Sequence, residues 1–139
     1  MATTTAAITL TSTDIADNAL SISNTMTLTT AGTETGLTET TGLARKKIAS
    51  ASLADLITVA NTDVTAAKSA KVYIKNTSTA TDKYGLVGIG DSSGTPIYIG
   101  RLYGGDWMII PWDANSGEDI TMTMNDATAT IIEYMVFFE

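Results

Sequence analysis

Residues 120–124 read Ile120-Thr121-Met122-Thr123-Met124, and this strict alternation of apolar and hydroxyl side chains decides the fold class. Successive side chains of a strand point to opposite faces, so a period of two puts Ile120, Met122 and Met124 together and the threonines opposite them. The same pattern recurs in Ile8-Thr9-Leu10-Thr11, Leu20-Ser21-Ile22-Ser23 and Met26-Thr27-Leu28-Thr29. Threonine makes up roughly a fifth of the chain, and its β-branched, stiff side chain suits pleated strands. Each segment should bury its apolar face and turn its hydroxyls to solvent. Helical spacing is nearly absent. Residues 52–58 could hold one helical turn, although Ile57-Thr58-Val59 favours a strand.

Working outward, strands are predicted near 6–12, 19–29, 44–52, 55–60, 70–76, 84–90, 95–102, 106–112, 118–124 and 128–138. Asp91-Ser92-Ser93-Gly94 should close one hairpin, and Gly104-Gly105 the next, between Pro96–Leu102 and Asp106–Trp112. Asp113-Ala114-Asn115-Ser116-Gly117 should lead to the following strand, and Asn125-Asp126 should open the last turn. Short strands at this spacing predict an all-β fold, a two-sheet antiparallel sandwich or jelly roll. Residues 1–42 differ from the body at 43–139: they hold no Lys or Arg and few large side chains. They fit either two ordinary strands of the sandwich or an arm that orders against a neighbouring subunit. Ile131-Ile132-Glu133-Tyr134-Met135-Val136-Phe137-Phe138 is apolar at both parities, so both faces of this strand must be covered. A second sheet, an arm or another chain could do so, and self-association as a trimer or dimer is expected.

The bulk numbers narrow the function. The chain has 139 residues, a net charge of −7 and no cysteine or histidine. One domain is expected at this length. An acidic chain repels phosphate backbones and anionic bilayers, so neither nucleic acid nor a membrane is an expected partner. The N-terminus lacks the basic region of a signal peptide, and no run reaches the ~20 apolar residues of a membrane span. Synthesis in a cytoplasm is the expectation. The missing histidine and cysteine remove Ser-His-Asp and Cys-His catalysis, and with them His- or Cys-ligated zinc. Glu118 and Asp119 are adjacent on a predicted strand, so they face opposite sides and cannot flank a cleft as glycosidase carboxylates do. Solvation at a turn edge is the expected role of both. No enzymatic activity and no cofactor are expected.

Other motifs reduce to structure. Asp113, Asn115 and Asp119 alternate as oxygen ligands might, but Gly117 stands at position five of that loop and no helices flank it, so a plain turn is expected rather than a calcium site. Gly88-Ile89-Gly90 lacks the spacing and the following helix of a dinucleotide loop, and reads as a bulge or a close backbone approach. Asn76-Thr77-Ser78 has the form of a glycosylation sequon and should stay unmodified. Tyr98, Tyr103, Trp107, Trp112 and Tyr134 could furnish a carbohydrate platform, but Trp107 and Trp112 are five apart, so they face opposite sides and at least one belongs to the core. The candidate partner-binding residues are therefore Arg45, Lys46 and Lys47, the one basic cluster, together with Tyr103 and Trp107 flanking the Gly104-Gly105 turn.

The layout resembles small virion structural proteins of tailed bacteriophages, especially those infecting cyanobacteria and other marine bacteria. The resemblance rests on the Thr/Ser-rich alternating N-terminus, then Thr41-Gly42-Leu43-Ala44-Arg45-Lys46-Lys47 and Lys71-Val72-Tyr73-Ile74-Lys75-Asn76-Thr77. It continues through Ile99-Gly100-Arg101-Leu102, Met108-Ile109-Ile110-Pro111-Trp112 and Glu133-Tyr134-Met135-Val136-Phe137, and so covers most of the chain. It implies a non-enzymatic virion component, and the size suits a capsid decoration (cement) protein on the capsid exterior, with the major capsid protein as partner. A tail or fibre component binding a host-surface glycan is the alternative. No fixed motif carries functional residues over.

Overall fold

The computed structural model describes residues 4–14, 20–28, 37, 39–50, 52–62, 64 and 70–138. Eleven strands run in chain order among them: β1 (Thr5–Ser12), β2 (Leu20–Thr27), β3 (Glu39–Thr40), β4 (Ala44–Ile48), β5 (Ala54–Ile57), β6 (Ala70–Asn76), β7 (Tyr84–Ile89), β8 (Ile97–Tyr103), β9 (Trp107–Trp112), β10 (Ile120–Met124) and β11 (Thr130–Phe138). The one helical element among the described residues is a 3-10 turn at Val59–Asn61. The chain is all-β, and two antiparallel sheets form a sandwich. One sheet has the order β5-β10-β7-β8; the other has the order β3-β11-β6-β9, with β4 also paired to β11. Among the described residues, β1 and β2 pair only with each other.

Alternation builds the interior. In β6, Ala70, Val72, Ile74 and Asn76 are buried while Lys71, Tyr73 and Lys75 lie on the other face. Val72, Ile74, Ile120, Met122, Ile132 and Val136 are fully buried and form one cluster with Val87, Leu102, Trp112 and Phe138. Each such side chain contributes about 2 kcal/mol relative to an exposed position. β11 is an inner strand: β6 flanks one edge, and β4 and β3 the other. Its apolar residues at both parities are thereby divided. Ile132, Val136 and Phe138 enter the core, and Ile131, Met135 and Phe137 lie on the outer face of the sheet.

Four expectations are corrected. Gly104-Gly105 does not close a hairpin, because β8 and β9 belong to different sheets. The Gly105 amide donates to the Asn76 carbonyl, and the Asn76 amide to the Asp106 carbonyl, so the chain leaves β8 and joins β6. A side chain at Gly104 would sit 2.2 Å from the Ala80 carbonyl oxygen, and Gly105 has φ +88°; only glycines make this corner. Second, the strand ending Ile57-Thr58-Val59 stops at Ile57, because the Asp119 carboxylate accepts the Val59 amide at 2.8 Å and starts the 3-10 turn there. Third, Asp119 is therefore buried, not solvated at a turn edge. Fourth, Thr121 does not face solvent. It is fully buried, and its hydroxyl has no hydrogen-bond partner.

Asn76 holds the two sheets together at the Gly104-Gly105 corner. It is fully buried; its amide nitrogen donates to the Lys83 and Leu102 carbonyls at 3.1 and 3.0 Å, and its Oδ1 accepts the Ser78 amide at 3.0 Å. Every polar atom of the side chain is thus satisfied, which burial demands. The triplet Asn76-Thr77-Ser78 thus starts at the end of β6 on an amide whose hydrogens are both used. Gly88 marks a bulge in the β7–β8 pairing, and a side chain there would meet Thr121 Oγ1 at 3.0 Å and Pro96 Cβ at 3.1 Å.

Candidate docking face

The outer face of the β3-β11-β6-β9 sheet is built by register. Glu133 of β11 stands opposite Arg45 of β4 and Lys75 of β6, and Lys75 stands opposite Trp107 of β9. One step along, Met135, Tyr73 and Ile109 line up; the next row holds Thr40, Phe137, Lys71 and Pro111. Lys47 pairs with Ile131 at the other end. Since the alternate residues Val72, Ile74 and Asn76 are fully buried, all of these lie on the side away from the core.

The result is a cationic surface with aromatic side chains among the charges. Arg45, Lys47, Lys71 and Lys75 are four of the eight Lys and Arg residues of an acidic chain, and they share this face with one carboxylate of the paired rows, Glu133. Arg45 Nε and Nη2 donate to Glu133 Oε2 at 3.0 and 2.9 Å. The pair is half open to water, so its net worth is within about 1 kcal/mol, and its effect is to hold Arg45 flat across β11. The rings of Tyr73 and Trp107 lie 6.4 Å apart and tilted by 36°. Trp107 remains 49 % exposed. Partial burial, and then the Glu133 charge, push the Tyr73 phenol above its usual range.

The sequence-predicted site residues divide between several places. Arg45, Lys47 and Trp107 meet on this face. Lys46 is at the opposite parity of β4 and lines a cavity between the sheets with Leu56, Tyr134 and Val136. Its ammonium donates to the Asp55 carbonyl. Three consecutive cations on a strand cannot form one patch, for the pleat turns the middle one away. Tyr103 is on β8, in the other sheet, with its ring 5.2 Å from that of Tyr84; Arg101 lies 4.6 Å above that same Tyr84 ring. Trp112 is buried, with its indole NH on the Glu118 carbonyl at 2.7 Å, and Tyr134 packs against the core. The aromatic residues considered for a platform therefore do not form one. Sequence reasoning missed Lys71, Tyr73 and Lys75, although the signal was present in β6, whose odd positions are all polar or aromatic while its even ones are apolar up to Asn76.

The loop after β9 is held by two side-chain hydrogen bonds. Asn115 Nδ2 donates to Asp113 Oδ2, and Asp119 is turned to Val59. Among the described residues there is no group of three or more acidic, His or Cys side chains able to hold a metal ion, and no helix long and apolar enough to cross a membrane. Compared with known proteins, the chain matches no family model, no curated protein and no solved structure.

Proposed function

We propose that this chain is a non-enzymatic structural protein that docks on an acidic protein surface through the outer face of its β3-β11-β6-β9 sheet, as a phage decoration protein on the capsid exterior does. The single observation that carries this reading is the collection of Arg45, Lys47, Lys71 and Lys75 around Tyr73 and Trp107 in a chain of net charge −7. The resemblance of the chain's layout to small virion proteins supplies the setting. A positive face on a negative body orients approach: the body is repelled by an acidic shell while this face is attracted within roughly 8 Å, the Debye length at physiological salt. Trp107 and Tyr73 then supply the desolvated contact that slows release. Symmetry of the shell repeats a modest contact many times.

Replacing Lys47, Lys71 and Lys75 by Ala, with the Arg45–Glu133 pair kept, should lower loading on undecorated particles at low salt and have less effect at high salt. Equal loading of parent and variant at low salt overturns this reading. The Tyr73–Trp107 ring pair beside Lys75 favours a second reading, a tail or fibre component that binds an acidic host glycan. Quantifying the chain in purified particles separates the two, since decoration needs on the order of hundreds of copies and a tail part tens or fewer.

A further inference from the structure

Two apolar surfaces are exposed among the described residues. The first is one face of the β1–β2 hairpin. The register places Leu10 opposite Ile22 and Ala6 opposite Met26, with Ile8 between the two pairs. Ile8, Leu10, Ile22 and Met26 are 40–55 % exposed, and no residue of either strand carries a charge. A two-stranded ribbon alone is marginally stable, so this face needs cover. The second surface is the open side of the sandwich. There β8 and β9 are the edge strands of the two sheets, and a groove of about 460 Å³ lies between them, lined by Val87, Ile99, Leu102, Trp107 and Met108 with Arg101 and Asp106 at its side. β8 is exposed at every position except Leu102, with Ile97 79 % exposed, and Arg101 is its one charge. Long, apolar, unpaired edges of this kind invite strand addition.

We propose that the β1–β2 hairpin of one copy seats its Ile8–Leu10–Ile22–Met26 face on the β8–β9 side of a second copy, extending the β5-β10-β7-β8 sheet. The occupant is this chain for three reasons. The strands of the hairpin are uncharged, so they add no third ion beside the groove's Arg101 and Asp106, which carry opposite charges, and contribute nothing to the acid-seeking face. The hairpin has free outer edges and β8 has one, so backbone pairing and side-chain burial act together. A molecule's own hairpin is rooted on the wrong side. Its base residues Leu28 and Leu37 are buried and bonded to each other, and β3, two residues on, joins the far edge of the sheet, with β11 and β6 between it and β9. The contact is heterologous, and closes as a reciprocal pair or a small ring.

The absence of native cysteine makes the test direct. Leu10→Cys and Ile99→Cys variants, mixed and oxidised, should give a disulfide-linked heterodimer of the two chains, and the parent should sediment as an oligomer. Leu10→Asp with Ile22→Asp should sediment as a monomer whose melting temperature for the sandwich is that of isolated parent subunits. A parent that sediments as a monomer at its highest soluble concentration overturns the proposal. So does a Leu10→Cys variant that links only to itself, or a Leu10→Cys/Ile99→Cys chain that links only within itself. The outcome does not depend on what the cationic face binds.

Discussion

β2 and β10 are written in nearly the same code and have opposite fates. Leu20-Ser21-Ile22-Ser23 and Ile120-Thr121-Met122-Thr123 both alternate apolar and hydroxyl residues. β10 lies between β5 and β7, and four of its five residues are buried. β2 has one neighbour, and its residues from Ser21 onward are exposed. Alternation therefore specifies a strand and its two faces but not what covers them. Cover depends on rank within a sheet, which is set by pairings between residues as far apart as Glu39 and Phe138.

Matched substitutions in the two regions sharpen this contrast. The largest difference is expected for methionine. Met122→Ala should cost about 3 kcal/mol in denaturant unfolding, because a fully buried side chain leaves a cavity, while Met26→Ala in the hairpin should stay within about 0.5 kcal/mol. Equal costs would break the comparison.

Asparagine comes next. Asn76→Ala strands the Lys83 and Leu102 carbonyls and the Ser78 amide, and should cost about 2 kcal/mol, whereas Asn24→Ala on exposed β2 should be close to neutral. A near-neutral Asn76→Ala would show that water replaces all three bonds.

Threonine should run the other way. Thr121→Val removes a buried hydroxyl without a partner and keeps the shape, so it should stabilise by up to about 1 kcal/mol, while Thr9→Val on β1 should change nothing measurable. A destabilised Thr121→Val would mean that the space left free by Gly88 opposite it does not accept the added methyl.

The smallest effect is acid sensitivity of the sandwich turns. The Thr128 amide, and then the Lys83 ammonium 3.1 Å away, hold the Asp126 carboxyl below its usual range. The Ser93 amide does the same for Asp91. With the folded pKa below the unfolded one, this stabilisation is present above about pH 4 and lost as pH falls through the folded value. Melting curves from pH 5 downward should fall less steeply for Asp126→Asn than for the parent.

The sequence by itself determined the strands, because a period of two is local: ten predicted segments overlap strands, and Trp107 and Trp112 face opposite ways as their spacing requires. It determined the Asp91–Gly94 hairpin and the Gly88 bulge through glycine and Asx chemistry. It also carried half of the cationic face, in the odd positions of β6. Only the tertiary structure decided that Gly104-Gly105 is a corner between sheets, since the same dipeptide fits a hairpin until the Ala80 carbonyl and Asn76 are in place. Only it gave the two faces of β4 their surroundings: Arg45 and Lys47 lie on the outer face beside β11, and the Lys46 ammonium donates to the Asp55 carbonyl. It alone buried Thr121, opposite Gly88 in the register, and Asp119, whose carboxylate accepts the Val59 amide. Local period fixes where a side chain points along its own strand, and long-range pairing fixes what it meets there.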